Sequence, residues 1–127
     1  MNTQTLIIKQ HQDNVMWINK LLFYKVDLII MQNRLDEVTS KNNVVDFLKT
    51  VDHFQNQLII QREQNDILKH EVKQRENMIE KEVIANPVAS DHRRIEEDFS
   101  LNDRLTSYED LFASLRKELL SFLAKWM

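Results

Sequence analysis

The chain contains no glycine, no cysteine and a single proline, Pro87. Without glycine, the tight turns that require positive φ are hard to build, so few β-hairpins are expected. With one proline, little interrupts a helix anywhere else. The missing cysteine excludes disulfides, thiol nucleophiles and thiolate metal sites together, and it fits a reducing, cytoplasmic setting. Long apolar runs are missing as well. The richest segment, Leu21 to Met31, is broken by Lys25 and Asp27 and has about half of the ~20 residues that a membrane span needs. The first ten residues lack the cationic start and unbroken apolar stretch of a secretory signal. Charge of one sign is also scarce. Seventeen basic residues stand against twenty acidic ones, for a formal charge of −3, and no block of five like charges occurs. A basic face for nucleic acid is therefore not expected, and neither is a membrane partner.

What the chain does have is helix-forming material. Of its 127 residues, 43% are apolar and 29% charged, enough for one domain with a packed core. The charged residues are mostly Glu, Lys and Arg, straight side chains that lose little freedom on a helix surface. An all-α fold follows.

The chain is organised around its first long stretch. Trp17, Leu21, Tyr24, Leu28, Met31, Leu35 and Val38 follow one another at steps of four and three, the seam of a helix packed lengthwise on others. Thr3 or Thr5 can cap this helix, and the pattern runs to about residue 39. A second seam follows Val44, Phe47, Leu48, Val51, Phe54 and Leu58, then Leu68, Val72, Ile79 and Val83. Gln61, Arg62 and Asn65 interrupt it. Asn65 is read as a polar residue that sets register at some cost in stability. Asn43 is the expected N-cap of this helix, with Asp46 in its first turn. Asn86-Pro87-Val88-Ala89-Ser90-Asp91 is the clearest break. A third helix follows through Phe99, Leu105, Tyr108, Phe112, Leu115, Leu119, Phe122 and Trp126, with Arg104, Glu109, Asp110, Lys117 and Lys125 on its solvated side. Ser100 marks a place where it could kink.

Short links favour antiparallel neighbours. The expected product is one domain over residues 1–127, an elongated up-down-up three-helix bundle with coiled-coil-like packing and helices near 4–39, 43–85 and 90–126. Turns centred on Lys41 and Val88 would put Trp17, Asn65 and Leu111 at one height, and His11 level with His70.

Catalytic groupings do not emerge. There is no glycine-rich phosphate loop and no serine, histidine and carboxylate at a recognisable spacing. The acidic residues are spread as ion-pair partners, such as Arg93 with Glu97 and Arg94 with Asp98. His11, His53 and His70 fall on different faces or layers, so a bundle-core metal site is not expected. No cofactor is implied and an enzyme is not expected. Both tryptophans lie on seams and read as core.

His70-Glu71-Val72-Lys73 resembles the His-Glu-aliphatic-basic core of the phospho-accepting segment in histidine kinases. That chemistry uses an exposed imidazole with an acid beside it. The resemblance implies His70 as phospho-acceptor with Glu71 and Lys73 around it, in a phosphotransfer or signalling bundle. The chain departs from those families in carrying Arg75 where such kinases have proline, and Gln74 where phosphotransfer domains have glycine.

The stronger signal is surplus apolar surface. Val15, Leu22, Val26 and Ile30, with Ile8 ahead of them, lie roughly 100–150° round the first helix from its seam at ~100° per residue. Ile60 and Ile67, with Met78 further on, lie well off the seam of the second helix. The third helix has no such excess. The leading expectation is a non-enzymatic interaction or scaffold protein whose partner is itself, as a homodimer, or another helical protein. Its contact residues would be Val15, Leu22, Val26, Ile30, Ile60 and Ile67.

Overall fold

The computed structural model describes residues 3–85 and 99–127, with side chains from 5 to 83 and from 100 to 127. Three helices, α1 (Thr3–Lys41), α2 (Val45–Ala85) and α3 (Phe99–Trp126), pack as a three-helix bundle, and no strand occurs among the described residues. At ~1.5 Å per residue, α1 and α2 are rods about 60 Å long. The expected breaks at Pro87, Ser90 and Asp91, and the Arg93–Glu97 and Arg94–Asp98 pairs, lie outside the described residues. So does the side chain of Phe99. At Ser100, α3 is already helical.

The α1–α2 turn differs in detail from expectation. Thr39 Oγ1 donates to the Leu35 carbonyl at 2.7 Å, Ser40 Oγ to Glu37 O at 2.7 Å and Asn42 Nδ2 to Val38 O at 2.9 Å. The polar cluster thus satisfies the orphan carbonyls at the end of α1, which runs two residues further than expected. α2 opens at Val45, with Leu48 N bonded to Val44 O at 3.0 Å, so Asn43 precedes the capping position instead of filling it. Asp46 occupies the first turn as expected. At the other end, α1 begins at Thr3, which puts Thr5 inside the helix.

The buried positions of α2 keep an unbroken four-three alternation from Phe47 through Val51, Phe54, Leu58, Gln61, Asn65, Leu68, Val72 and Arg75 to Ile79. Spacing, and not polarity, decides which residues face inward. Of the other residues expected on this seam, Leu48 and Val83 are off its period and exposed, and Val44, though on the period, precedes the helix and is exposed too. Leu123 and Leu101 of α3 are buried although the sequence reading passed over them. Phe122 and Trp126 are half-buried and pack on Phe47, with ring centroids 5.5 and 4.7 Å away. With Phe54, 5.2 Å from Phe122, they make an aromatic plug at this end of the core.

Polar bonds set the register. Asn65 is fully buried, and its Nδ2 donates to Leu21 O at 2.8 Å and to the Tyr108 hydroxyl at 3.1 Å, so one amide touches all three helices. Ten residues further along α2, Arg75 is only 5% exposed. Its Nε donates to Asn14 Oδ1 at 2.6 Å and its Nη1 to Asn102 Oδ1 at 2.8 Å. Gln10, with its amide oxygen turned to the guanidinium, accepts from Arg75 Nη1 at 3.0 Å. Asn14 Nδ2 donates to Glu76 Oε2 at 2.8 Å, and Glu76 Oε1 also meets His11. The heptad period thus carries Arg75 inward, and three amides make its charge tolerable there.

These bonds pair rising numbers on α1 with falling ones on α2, and α2 with α3 likewise. α1 and α3 run together, through Tyr24 to Glu109 and Asp27 to Arg116. That is the up-down-up order. The common level holds Leu21, Asn65 and Tyr108, where Trp17, Asn65 and Leu111 were expected. Because α1 extends to Lys41, the turn centre moves about two residues along the chain, and its partners shift by about twice that, one helical turn. For the same reason His11 meets Glu76 and not His70.

The Asn14–Arg75–Asn102 layer makes a stability prediction. Replacing Asn14 by alanine leaves a buried guanidinium short of an acceptor and should lower the unfolding free energy by about 1–3 kcal/mol. Exposed Lys73 on the same helix should tolerate alanine within about 0.5 kcal/mol. Urea unfolding of both variants measures the contrast.

Candidate interaction surface

The outer face of α1 is where the packing leaves apolar residues over. With Gln10, Asn14, Trp17, Leu21, Leu28, Met31, Leu35 and Val38 turned inward, a helix puts the next residue of each heptad about 100° round and the one after about 200° round. Ile8, Val15, Leu22 and Ile29 repeat at seven-residue intervals on one side of this outer face. Met16, Phe23 and Ile30 repeat beside them, and Val26 lies between the two lines. All eight are between 41 and 66% exposed. Both lines keep the same seven-residue period as the buried seam, so they stay at a fixed angle to it along the whole helix.

The row has polar borders on both flanks. Toward α2, Lys25 Nζ lies 2.7 Å from Asp66 Oδ1, and that hydrogen bond holds the Asp66 carboxyl below its ordinary range. Toward α3, Arg116 Nε donates to Asp27 Oδ2 at 2.9 Å, while the Tyr24 hydroxyl and Lys20 Nζ both reach Glu109 Oε2, the latter at 3.1 Å. Glu109, assigned to the solvated side by the sequence pattern, is therefore turned toward α1. The Tyr24 hydrogen bond, with help from Lys20, holds its carboxyl below the usual range against an opposing desolvation effect. Burial, then the Glu109 hydrogen bond and charge, push the Tyr24 phenol well above its ordinary value. Lys20 Nζ also sits 4.8 Å from the Trp17 ring centroid. An apolar centre with a charged, bonded rim is how contact surfaces between proteins are commonly built.

Of the six expected contact residues, the structure brings four together. Val15, Leu22, Val26 and Ile30 share the α1 face, joined by Met16, Phe23 and Ile29, which the sequence reading left out although their seven-residue spacing was visible. Ile60 and Ile67 are exposed but stand apart from that face. Ile60 lines the groove between α2 and α3, with Leu111 and Tyr108 across it, and Ile67 lies two turns further along the same side of α2. Among the described residues, α3 exposes only Leu111 and the terminal Met127 as large apolar side chains.

The side chains of the histidine segment spread over different sides of α2. His70 is exposed, but Glu71 is turned to α3, where Arg104 Nη1 lies 2.7 Å from its Oε2. This is an ion pair by distance without the alignment of a hydrogen bond. Lys73 is exposed on another side. His53 rests edge-on against Phe54, with ring centroids 5.5 Å apart. Among the described residues, no three His, Asp or Glu side chains are gathered to hold a metal, and no helix is long and apolar enough to cross a membrane.

Glu109 links this flank to pH. Its carboxyl is lowered on folding, so its contribution is present above the unfolded value of about 4.3 and is lost as pH falls through the lower folded value. Glu109→Gln should therefore reduce stability at pH 7 and flatten the acid limb. Thermal melts of both proteins from pH 7 down to about 3 give the comparison; parallel curves would disprove the link.

The chain matches no family model, no curated protein and no solved structure.

Proposed function

We propose that this chain is a non-enzymatic helical interaction or scaffold protein that self-associates through the outer face of α1, most simply as a two-fold homodimer. The observation that carries the reading is the row from Ile8 to Ile30, eight large apolar side chains about half exposed on one helix with ion pairs along both flanks. Apolar residues scattered singly on a surface are ordinary, but eight gathered on one face of one helix point to a contact site. Ile60 and Ile67 on α2, apart from that face, form a smaller patch suited to a second contact.

The magnitudes agree with association. Fully burying a large aliphatic side chain stabilises by about 1.5–3 kcal/mol. Eight half-exposed ones on each of two chains offer on the order of 10 kcal/mol gross, comparable with the ~4–15 kcal/mol lost in joining two bodies. A two-fold contact uses the same patch twice and so needs no second surface.

Light scattering on the eluting protein should give twice the 15.3 kDa chain mass. Val26→Glu or Ile30→Glu should return it to a monomer, because a carboxylate buried in an apolar contact without a partner is strongly disfavoured. Circular dichroism should stay helical, since both positions face away from the core. A wild type that is monomeric at micromolar concentration ends the self-association reading and leaves the strip to a different helical protein.

A further inference from the structure

We infer that the second copy covers the α3 flank of α1 and not the α2 flank, reaching from the apolar row over the groove between α1 and α3, with Phe23 as the anchor. This rests on the self-association reading and concerns the same face.

The row alone is barely large enough. Eight large residues about half exposed offer on the order of 800 Å2, which reaches the ~800 Å2 per partner of a standard interface only when every one is covered completely. A contact of stable size therefore continues onto a neighbouring helix. The line of Met16, Phe23 and Ile30 lies on the α3 side, where Phe23 lines a groove between the two helices. The line of Ile8, Val15, Leu22 and Ile29 lies on the α2 side, where Ile8 lines another.

The α3 flank offers the apolar surface. Phe23 and Tyr24 of α1 with Phe112, Ala113 and Leu120 of α3 line a groove of about 710 Å3. Phe23 is the most exposed of the eight, at 66%. Its ring rests edge-on against Tyr24, centroids 6.1 Å apart, and Tyr24 lies 4.4 Å from Phe112. Three rings from two helices thus make one aromatic surface, and aromatic residues are enriched at the centres of protein contacts. Ala113 is small and exposed, which leaves room for a side chain of the second copy. The acids of this flank already have partners, Asp27 in Arg116 and Glu109 in Tyr24 and Lys20, so covering the groove strands no carboxylate. Lys117, also in the lining, has a stem long enough to keep its ammonium in water.

The α2 flank is poorer. Asp66, which meets Lys25, belongs to the seven-residue line Asp52, Ile59, Asp66 and Lys73, all exposed. Three of those four are charged, and laying them on an apolar row is unfavourable. The groove beside Ile8 is smaller, about 390 Å3, and counts His11, Glu76 and Glu80 in its lining.

Sedimentation equilibrium of single variants checks the assignment. Phe23→Ala should raise the dimer dissociation constant on the order of 30-fold, the effect of an anchor worth ~2 kcal/mol, whereas Ile8→Ala at the end of the row should raise it only a few-fold. Ala113→Glu on α3 should weaken the dimer about tenfold or more, and Ile59→Glu on α2 less than about threefold. Both positions are exposed, so each variant should keep the wild-type circular dichroism and melting temperature. A dimer broken by Ile59→Glu overturns the inference and moves the contact toward α2. A dimer insensitive to Ala113→Glu, or weakened no more by Phe23→Ala than by Ile8→Ala, overturns it too while leaving self-association standing. Should Ala113→Glu fail to fold, the comparison of Phe23→Ala with Ile8→Ala decides. A monomeric wild type instead removes the underlying reading.

Discussion

Asn65 holds the bundle to one register. Its amide is fully buried, and it bonds the backbone of α1 at Leu21 and the hydroxyl of Tyr108 on α3, so a slide of either neighbour by a turn would strand a donor in the core. Apolar seams with a seven-residue period are nearly degenerate to such slides, since each heptad of leucines packs much like the next. A buried amide lifts that degeneracy at a cost in stability: Asn65 Oδ1 is buried without a hydrogen-bond partner among the described residues. The Arg75 layer acts in the same way ten residues further along α2, where Asn14 and Asn102 accept from one guanidinium. Two polar layers therefore fix a geometry that the apolar ones would leave free.

Once register is fixed, the exposed face of α1 follows. A helix in a three-helix bundle can turn one side to its two neighbours, and on α1 that side is taken up by the seam from Gln10 to Val38. Because Ile8, Val15, Leu22 and Ile29 share the seven-residue period of that seam, no further winding can bring them inward. Hiding them would expose Leu21 and Leu28 instead. α3 shows the contrasting case, with one apolar side and, among its described residues, Leu111 as the large apolar side chain left exposed. The three helices thus divide the work unequally, α3 completing a core and α1 carrying both a core and an outer strip.

The flanks connect the two. Lys25–Asp66 and Asp27–Arg116 tie α1 to its neighbours from either edge of the strip, and Tyr24 with Lys20 holds Glu109 on the α3 side. Exposed pairs of this kind contribute little stability singly. Their effect here is to border the apolar row with charges that are already engaged within the bundle.

Most of the fold was readable in the sequence because it depends on period and on breakers. The four-three alternation, the missing glycine and the polar cluster near Lys41 are local properties, and they determined three long helices and their approximate ends. The surplus on α1 was equally legible, since counting apolar residues around a helix needs no neighbour. What polarity hid was the inward turn of Arg75, Asn14 and Gln10: a charge reads as solvent-facing until its bonding partners on other helices are in place. The relative heights of the helices, the engagement of Glu109 by Tyr24, and the separation of Ile60 from the α1 row came only with the tertiary structure. Each depends on which residues of distant segments meet, and a shift of two residues in a turn moves every such meeting by a full helical turn while leaving the pattern on each helix unchanged.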